Sequence, residues 1–295
     1  MNRKIDYKIN ENDTGKTVEG FLKERGYTHQ VLVRLKQTDH GILRNGIWAY
    51  TNERLCKDDL ITVQIVENEC SDNIAPVNLP LDIAYEDDDI IVINKPFDMP
   101  AHPSAGNHDN TLANALMYYY GSQNKSFVYR CINRLDRDTT GLTIVAKHAL
   151  AGGILGNAVA KRAIHRTYYA VCSGCTPACM RISAPIARKD ASTIERCVDF
   201  KRGENAVTDF IRIKYNPDNN LSLVKLRLLT GRTHQIRVHM KYIGFPLIGD
   251  FLYNPDYTYI SRQALHSGRL VFTHPVTGQK MNLISDIPSD MKSLF

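Results

Sequence analysis

Apolar positions along the chain recur with helical spacing in some segments and alternate with polar ones in others. In TVEGFLKERG, Val18, Phe21 and Leu22 lie at helical spacing ahead of Gly26, which predicts a short helix closed by a glycine C-cap. HQVLVRLKQ follows as a second short apolar and basic segment, ILRNGIWAY turns at Asn45-Gly46 as a hairpin, and DDLITVQIVENE alternates as a strand. Residues 1–70 therefore read as a small α/β module. CSDNIAPVNLPLD has two prolines and few large apolar residues before Leu79, so residues 71–79 read as a linker and 80–295 as a second domain.

The pattern then changes. DDDIIVINKP predicts a buried strand stopped by Pro96, and DMPAHPSAGNHDN a loop. TLANALMYYY predicts a helix opened at Asn110 or Thr111, GLTIVAKH a strand, ALAGGILGNAVAKRA a glycine-loosened helix and RTYYAVCSG another strand. AVTDFIRIKY and LSLVKLRLLT flank the turn NPDNN as a hairpin, GRTHQIRVHMKYIG is a turn entering a helix that stops at Gly244, and RLVFTHP and KMNLIS are short strands. Many strands with a few interleaved helices predict an α+β fold built on a large mixed or antiparallel sheet. No internal repeat is visible.

Composition narrows the class. At 295 residues and 43% hydrophobic content, the chain can bury a sizeable core. No apolar run reaches the roughly 18 residues of a membrane helix, and the N-terminus lacks the apolar stretch of a secretory signal, so a cytoplasmic protein is expected. The seven cysteines are scattered as free thiols would be. Cys172, Cys175 and Cys179, with Cys197 further on, raise the question of zinc, but the spacing is irregular and no histidine stands in register, so no metal is expected. Residues 101–295 hold 25 basic against 13 acidic side chains within a net charge of +6, which favours a polyanionic partner such as nucleic acid.

Two constellations carry candidate chemistry. In NRLDRDTTG, Arg134 and Arg137 flank Asp136, and cations at that spacing favour an ionised carboxylate able to act as nucleophile or base. An aspartate between arginines also suits a surface ion pair. Asp138 precedes Thr139, Thr140 and Gly141, a context for a turn in which the side chain accepts backbone N–H groups. In TGRTHQIRVHM, Gly231 permits a tight turn, and Arg232, Thr233, His234 and Gln235 fall at a helix entrance that favours phosphate. His234 and His239 lie about 140° apart around a helix, which argues against a shared metal. Arg237 faces either the same cleft as Arg232 or solvent.

Taken in order, KPFDMPAHPS, NRLDRDTTGLTIVAK, LLTGRTHQIRVHMKYIGFPLIGD and LHSGRLVFTHPVTG resemble the successive motifs of the RluA/RluD family of RNA pseudouridine synthases, from about Leu79 to Pro288. The first 70 residues, with Arg34, Lys36 and Arg44, resemble the RNA-binding module named after ribosomal protein S-four. The resemblance implies a pseudouridine synthase catalytic domain that isomerises uridines of ribosomal or transfer RNA. It assigns the catalytic aspartate to Asp136, the active-site tyrosine to Tyr168 rather than its neighbour Tyr169, and the basic partner to Arg237. Arg134 matches an arginine that helps take the target nucleotide out of its stack, and Arg137, Arg232, His234 and Lys95 are the other expected RNA contacts. Asn133, Arg166 and Phe97-Asp98 depart from the family pattern, which often has histidine, lysine, and a small residue with glycine at these places. Such a reaction exchanges one bond to the same base, so no cofactor is expected, and RNA is the expected partner of a monomer without a protein partner or membrane. A non-catalytic RNA-binding factor and a carboxylate-dependent hydrolase are the competing readings. The latter lacks the second acid such enzymes need.

Overall fold

The computed structural model describes residues 1–190 and 194–295. The first elements are β1 (Asn2–Lys8), α1 (Val18–Glu24), α2 (His29–Gln37), β2 (Ile42–Arg44), β3 (Ile47–Trp48) and β4 (Leu60–Val66). Their four strands form an antiparallel sheet in the order β1-β4-β2-β3. Val18, Phe21 and Leu22 of α1 and Val31, Leu32 and Leu35 of α2 bury the predicted apolar stripes against Ile61, Val63 and Ile65 of β4. Thr17 and Thr28 cap the two helices by accepting from the amides of Gly20 and Val31.

The second part contains β5 (Ile83–Glu86), β6 (Ile90–Lys95), α3 (Leu112–Gly121), β7 (Thr140–Ala146), α4 (Ala149–Ala160), β8 (His165–Ser173), β9 (Cys179–Ser183) and β10 (Ile186–Arg188). It continues with β11 (Arg196–Val198), β12 (Val207–Asn216), β13 (Leu221–Leu228), α5 (Gln235–Tyr242), β14 (Leu265–Thr273), β15 (Lys280–Ile284) and α6 (Ser289–Lys292). A mixed nine-stranded sheet runs β5-β6-β7-β14-β8-β13-β12-β9, with β15 on the far half of β14. The β7–β14 pair is parallel and the other pairs are antiparallel. The fold is thus α+β with few helices on a large sheet.

Alternation along β6 explains why the centre of this sheet is covered on both faces. Ile91 and Ile93 meet Leu112 and Leu116 of α3, whereas Ile90 and Val92 point the other way into a core with Ile144 and with Leu155 of α4. Each such side chain, fully buried, contributes about 1.5–3 kcal/mol. Thr111, not Asn110, opens α3, in a reciprocal box with Asn114. Gly141 has φ +108°, and a Cβ there would lie 2.3 Å from the carbonyl oxygen of Ser267, so only glycine lets β7 approach β14 this closely.

The small sheet is seated on α4. Leu150 joins its apolar core, Glu67 accepts from the amide of Ala149 at 2.8 Å, and Arg130 pairs with Glu67 at 2.9 Å. Asp89 receives Arg3 at 2.7 Å and His148 at 2.9 Å. His274 closes this junction, with Nε2 2.8 Å from Asp87. Its Nδ1 accepts from the amides of Val276 and Thr277, which fixes the ring's orientation.

Strands β1, β5, β9, β10 and β11 and helix α6 have no counterpart among the predicted elements. In β1 only Ile5 is buried, so a strand paired along its whole length with β4 shows almost no apolar alternation. Strands β9 to β11 are short and bury few side chains; β9 is specified by pairing with β12, and β10 and β11 pair with each other.

Candidate active site

The loop Asn133–Thr139 enters β7, and α5 faces it from the other side of the sheet's end. A cleft of about 890 Å³ opens between this loop, the segment that joins α4 to β8 and the turn before α5, lined by Arg134, Asp136, Arg166, Arg227 and His234 among others. It adjoins a recess of about 100 Å³ whose wall includes Asp136, Tyr168 and Arg237. The three residues assigned from the motifs therefore meet in one place, although 101 positions separate Asp136 from Arg237.

Asn133 fixes the start of the loop. Its side chain donates to the carbonyl of Leu142 at 3.2 Å and accepts from the amide of Ile144 at 2.8 Å, so it is buried under β7 and braces the loop. Asp136 then stands with its side chain 31% exposed. Its Oδ2 accepts from Arg237 Nη1 at 2.8 Å, and its Oδ1 has no donor among the described residues.

Arg237 settles its open orientation by facing the cleft, with a side chain only 1% exposed. Nε and Nη2 donate to the two oxygens of Asp250 at 2.7 and 2.8 Å, a bidentate fork that leaves Nη1 for Asp136. Tyr253 and Phe251 lie beside the guanidinium, their ring centres 5.0 and 5.4 Å from it. Burial alone disfavours the cation, but the Asp250 hydrogen bonds and the charge of Asp136 outweigh it and raise the arginine's pKa. A permanent cation thus sits under one carboxylate oxygen.

Tyr168 and Tyr169 point to opposite faces of β8, as alternation requires. Tyr168 joins the buried cluster with Leu135, Ile236 and Leu265, whereas Tyr169 packs on the other side beside Val171 and Ile248. The hydroxyl of Tyr168 has no hydrogen-bond partner among the described residues.

The turn before α5 is built differently from its prediction. The left-handed backbone falls on His234 (φ 56°), not on Gly231. The side chain of Gln235 fills the turn, accepting from the Arg232 amide at 3.0 Å and from Thr230 Oγ1 at 2.8 Å, so this helix entrance is already partly capped. His234 Nδ1 lies 3.0 Å from the Tyr253 hydroxyl, and Nε2 is 3.9 Å from Asp136. Burial depresses its pKa despite Asp136, favouring a neutral ring that leaves the carboxylate to Arg237. His239 is buried with Thr208 and the carbonyl of Ala184 and shares no partner with His234.

The expected RNA contacts divide. Arg134 is exposed on the cleft wall and makes no ion pair or hydrogen bond with the described residues. Arg137 pairs with Asp138 at 3.1 Å and approaches Asp98 at 3.7 Å, so Asp138 holds its neighbour's guanidinium instead of accepting turn amides. Arg232 is tied to Glu204 and to the carbonyl of Asn205. Lys95 is the correction: it is 1% exposed and cannot touch RNA from there. Its Nζ donates to the carbonyls of Pro96 and Arg137 at 2.7 and 2.8 Å, pinning the aspartate loop from beneath. Burial lowers its pKa to about 7, against the pull of Asp138 and Asp136. A neutral amine still has two protons for those two carbonyls.

Asp250, Tyr253 and Arg227 carry parts of the site that sequence reasoning missed. Asp250 had a signal: an acid in the apolar run FPLIGDF needs a buried cation as partner. Cys172 is buried while Cys175 and Cys179 are exposed, and among the described residues they form no ligand cluster.

Residues 89–242 match the family model described as RNA pseudouridylate synthase. The chain is 38% identical over 281 residues to a Bacillus subtilis (strain 168) protein named uncharacterized RNA pseudouridine synthase YjbO, covering 95% of this chain and 98% of that one. It is 36% identical over 304 residues to ribosomal large subunit pseudouridine synthase D of Escherichia coli O6:H1, covering 97% and 92%. The solved structure of human RNA pseudouridylate synthase domain containing 1 aligns with a TM-score of 0.59 at 26% identity, over 70% of this chain and 83% of that one. With a family model spanning more than half its length and relatives matched nearly end to end, the chain belongs to the RluA/RluD family of RNA pseudouridine synthases, isomerases that act on uridine in RNA.

Proposed function

We propose that this enzyme isomerises uridines of large-subunit ribosomal RNA and that Asp136 begins the chemistry as nucleophile or base. The observation that carries the reading is the buried Asp250–Arg237–Asp136 chain, which holds one carboxylate at the recess with a free oxygen. The ribosomal substrate rests on the relatives named for the large ribosomal subunit. In the reaction the N1–C1′ bond breaks and a C5–C1′ bond forms, C5 loses its proton and N1 gains one, so no outside atom or electron enters. A single ionised carboxylate suffices to start this, with Arg237 balancing its charge. Tyr168 stacks on the base and assists removal of the C5 proton. The uridine reaches the recess by extrusion from its stack, and Arg134, Arg166 and Arg227 along the cleft hold the flanking phosphates.

Residues 1–70 serve in this reading as an RNA-binding module joined through 71–79 to the catalytic domain of 80–295, and the enzyme works as a cytoplasmic monomer. The test uses large-subunit ribosomal RNA and transfer RNA carrying tritium at uracil C5. Release is expected from the ribosomal RNA with the wild type and none with Asp136→Ala at unchanged RNA affinity. Release that survives Asp136→Ala contradicts the role of Asp136, and release from transfer RNA alone contradicts the substrate.

A further inference from the structure

His234 lines both the cleft and the recess, and its side chain is 12% exposed. It carries left-handed backbone at the entrance to α5, with φ 56°. A histidine adopts that conformation only at a cost, and its side chain caps no helix amide in return. The ring is instead held from behind. Tyr253 is buried, its ring meets the imidazole edge-on with centres 5.8 Å apart, and its hydroxyl lies 3.0 Å from Nδ1.

This clamp decides where the imidazole proton sits. The Tyr253 oxygen already accepts from the amide of Arg196 at 2.9 Å, and His234 Nδ1 is the one acceptor its O–H meets among the described residues. Nδ1 therefore accepts, and the neutral ring that burial favours carries its proton on Nε2. Nε2 lies 3.9 Å from Asp136 Oδ2. That gap is too long for a direct hydrogen bond, and it lets one oxygen stand about 2.8 Å from both atoms.

A group in the gap must accept from Nε2 and donate to Oδ2, whose other contact is Arg237. A phosphodiester has no proton to give and would meet the carboxylate's charge. Uracil carbonyls only accept, and its N3–H only donates. The 3′ and 5′ oxygens of a uridine within an RNA chain are esterified, so its 2′-hydroxyl is the group that does both. We propose that His234 is a specificity-determining residue that reads the target ribose: Nε2–H donates to the 2′-oxygen, and the 2′-hydroxyl donates to Asp136 Oδ2, leaving Oδ1 for the reaction. The assignment rests on the reading of Asp136 as the reaction centre. The helix entrance then contacts sugar where its position suggested phosphate.

The experiment compares wild type and His234→Asn on a large-subunit RNA fragment carrying either uridine or 2′-deoxyuridine at the target, tritiated at C5. Asparagine suits left-handed backbone and is too short to span the gap. Single-turnover release by the wild type is expected to fall about tenfold on the deoxy RNA. His234→Asn is expected to be about tenfold slower than wild type on the ribose RNA and within about twofold of it on the deoxy RNA. Tyr253→Phe, which removes the donor to Nδ1, is expected to be slower than wild type on the ribose RNA alone, and it decides the matter should His234→Asn not fold. Losses that multiply, or a wild type indifferent to the 2′-hydroxyl, overturn the proposal, because a merely structural histidine slows both substrates alike. Tritium release that survives Asp136→Ala beside non-multiplying losses marks failure of the catalytic reading alone. Multiplying losses beside a silent Asp136→Ala mark failure of this one alone.

Discussion

Two arginine–aspartate contacts start from the same short loop and differ in nearly everything that matters. Asp138 meets its own neighbour Arg137 at 3.1 Å on a half-exposed rim, where the arginine side chain is 46% exposed. Asp136 meets Arg237 across the fold, and that arginine is buried and forked onto Asp250. The rim pair is screened by water and shared with Asp98, so its geometry is cheap to lose. The second contact has one hydrogen bond, from a buried Arg237 to an Asp136 that is partly open to the recess, while two more tie Arg237 to the buried Asp250, so losing Arg237 strands a buried carboxylate. Local sequence made the two aspartates look alike. The fold separates them by what it places opposite each.

The sharpest way to break this comparison is Arg237→Met, which leaves Asp250 buried without a cation. A loss of about 3–5 kcal/mol in urea unfolding and tritium release lowered by at least about a thousandfold are expected. Retention of either stability or activity would put the buried pair on the same footing as the rim pair.

Lys95 gives a smaller effect with a definite pH signature. Its pKa is about 7 in the fold and ordinary when unfolded. Above pH 7 the native state holds the neutral amine while the unfolded chain still binds the proton, so Lys95 makes stability rise with pH up to its unfolded value. The slope is at most about 1.4 kcal/mol per pH unit. Unfolding at pH 6, 7.5 and 9 is expected to show the wild type gaining on Lys95→Met as pH rises. A constant difference would mean that the ammonium stays charged beneath the loop.

Smallest is Arg137→Gln at the rim, where stability is expected to change by less than about 0.5 kcal/mol, as for other exposed pairs. If it cost as much as Arg237→Met, burial would not be what distinguishes the two contacts.

The parts of the molecule whose cause is local are legible in the chain. The helices at Val18–Glu24, Leu112–Gly121 and Gln235–Tyr242 follow from apolar spacing and nearby caps, and the β12–β13 hairpin follows from its alternation around NPDNN. Ordered motifs point to Asp136, Tyr168 and Arg237, and no local rule selects Tyr168 over Tyr169. What stayed hidden depends on distance in the chain. The fork from Arg237 to Asp250 crosses a turn that no local pattern specifies, and Lys95 looked like a surface cation because its acceptors are backbone carbonyls.

The central claim is that Asp250 holds Arg237, and through it Asp136, in working position. Single-turnover tritium release by Asp250→Asn, measured alongside RNA affinity, tests this most directly, because Asp250 does not line the cleft and touches no substrate in this account. The rate constant is expected to fall about a hundredfold while the RNA dissociation constant stays within about twofold. An unchanged rate constant in a folded Asp250→Asn enzyme would contradict the account.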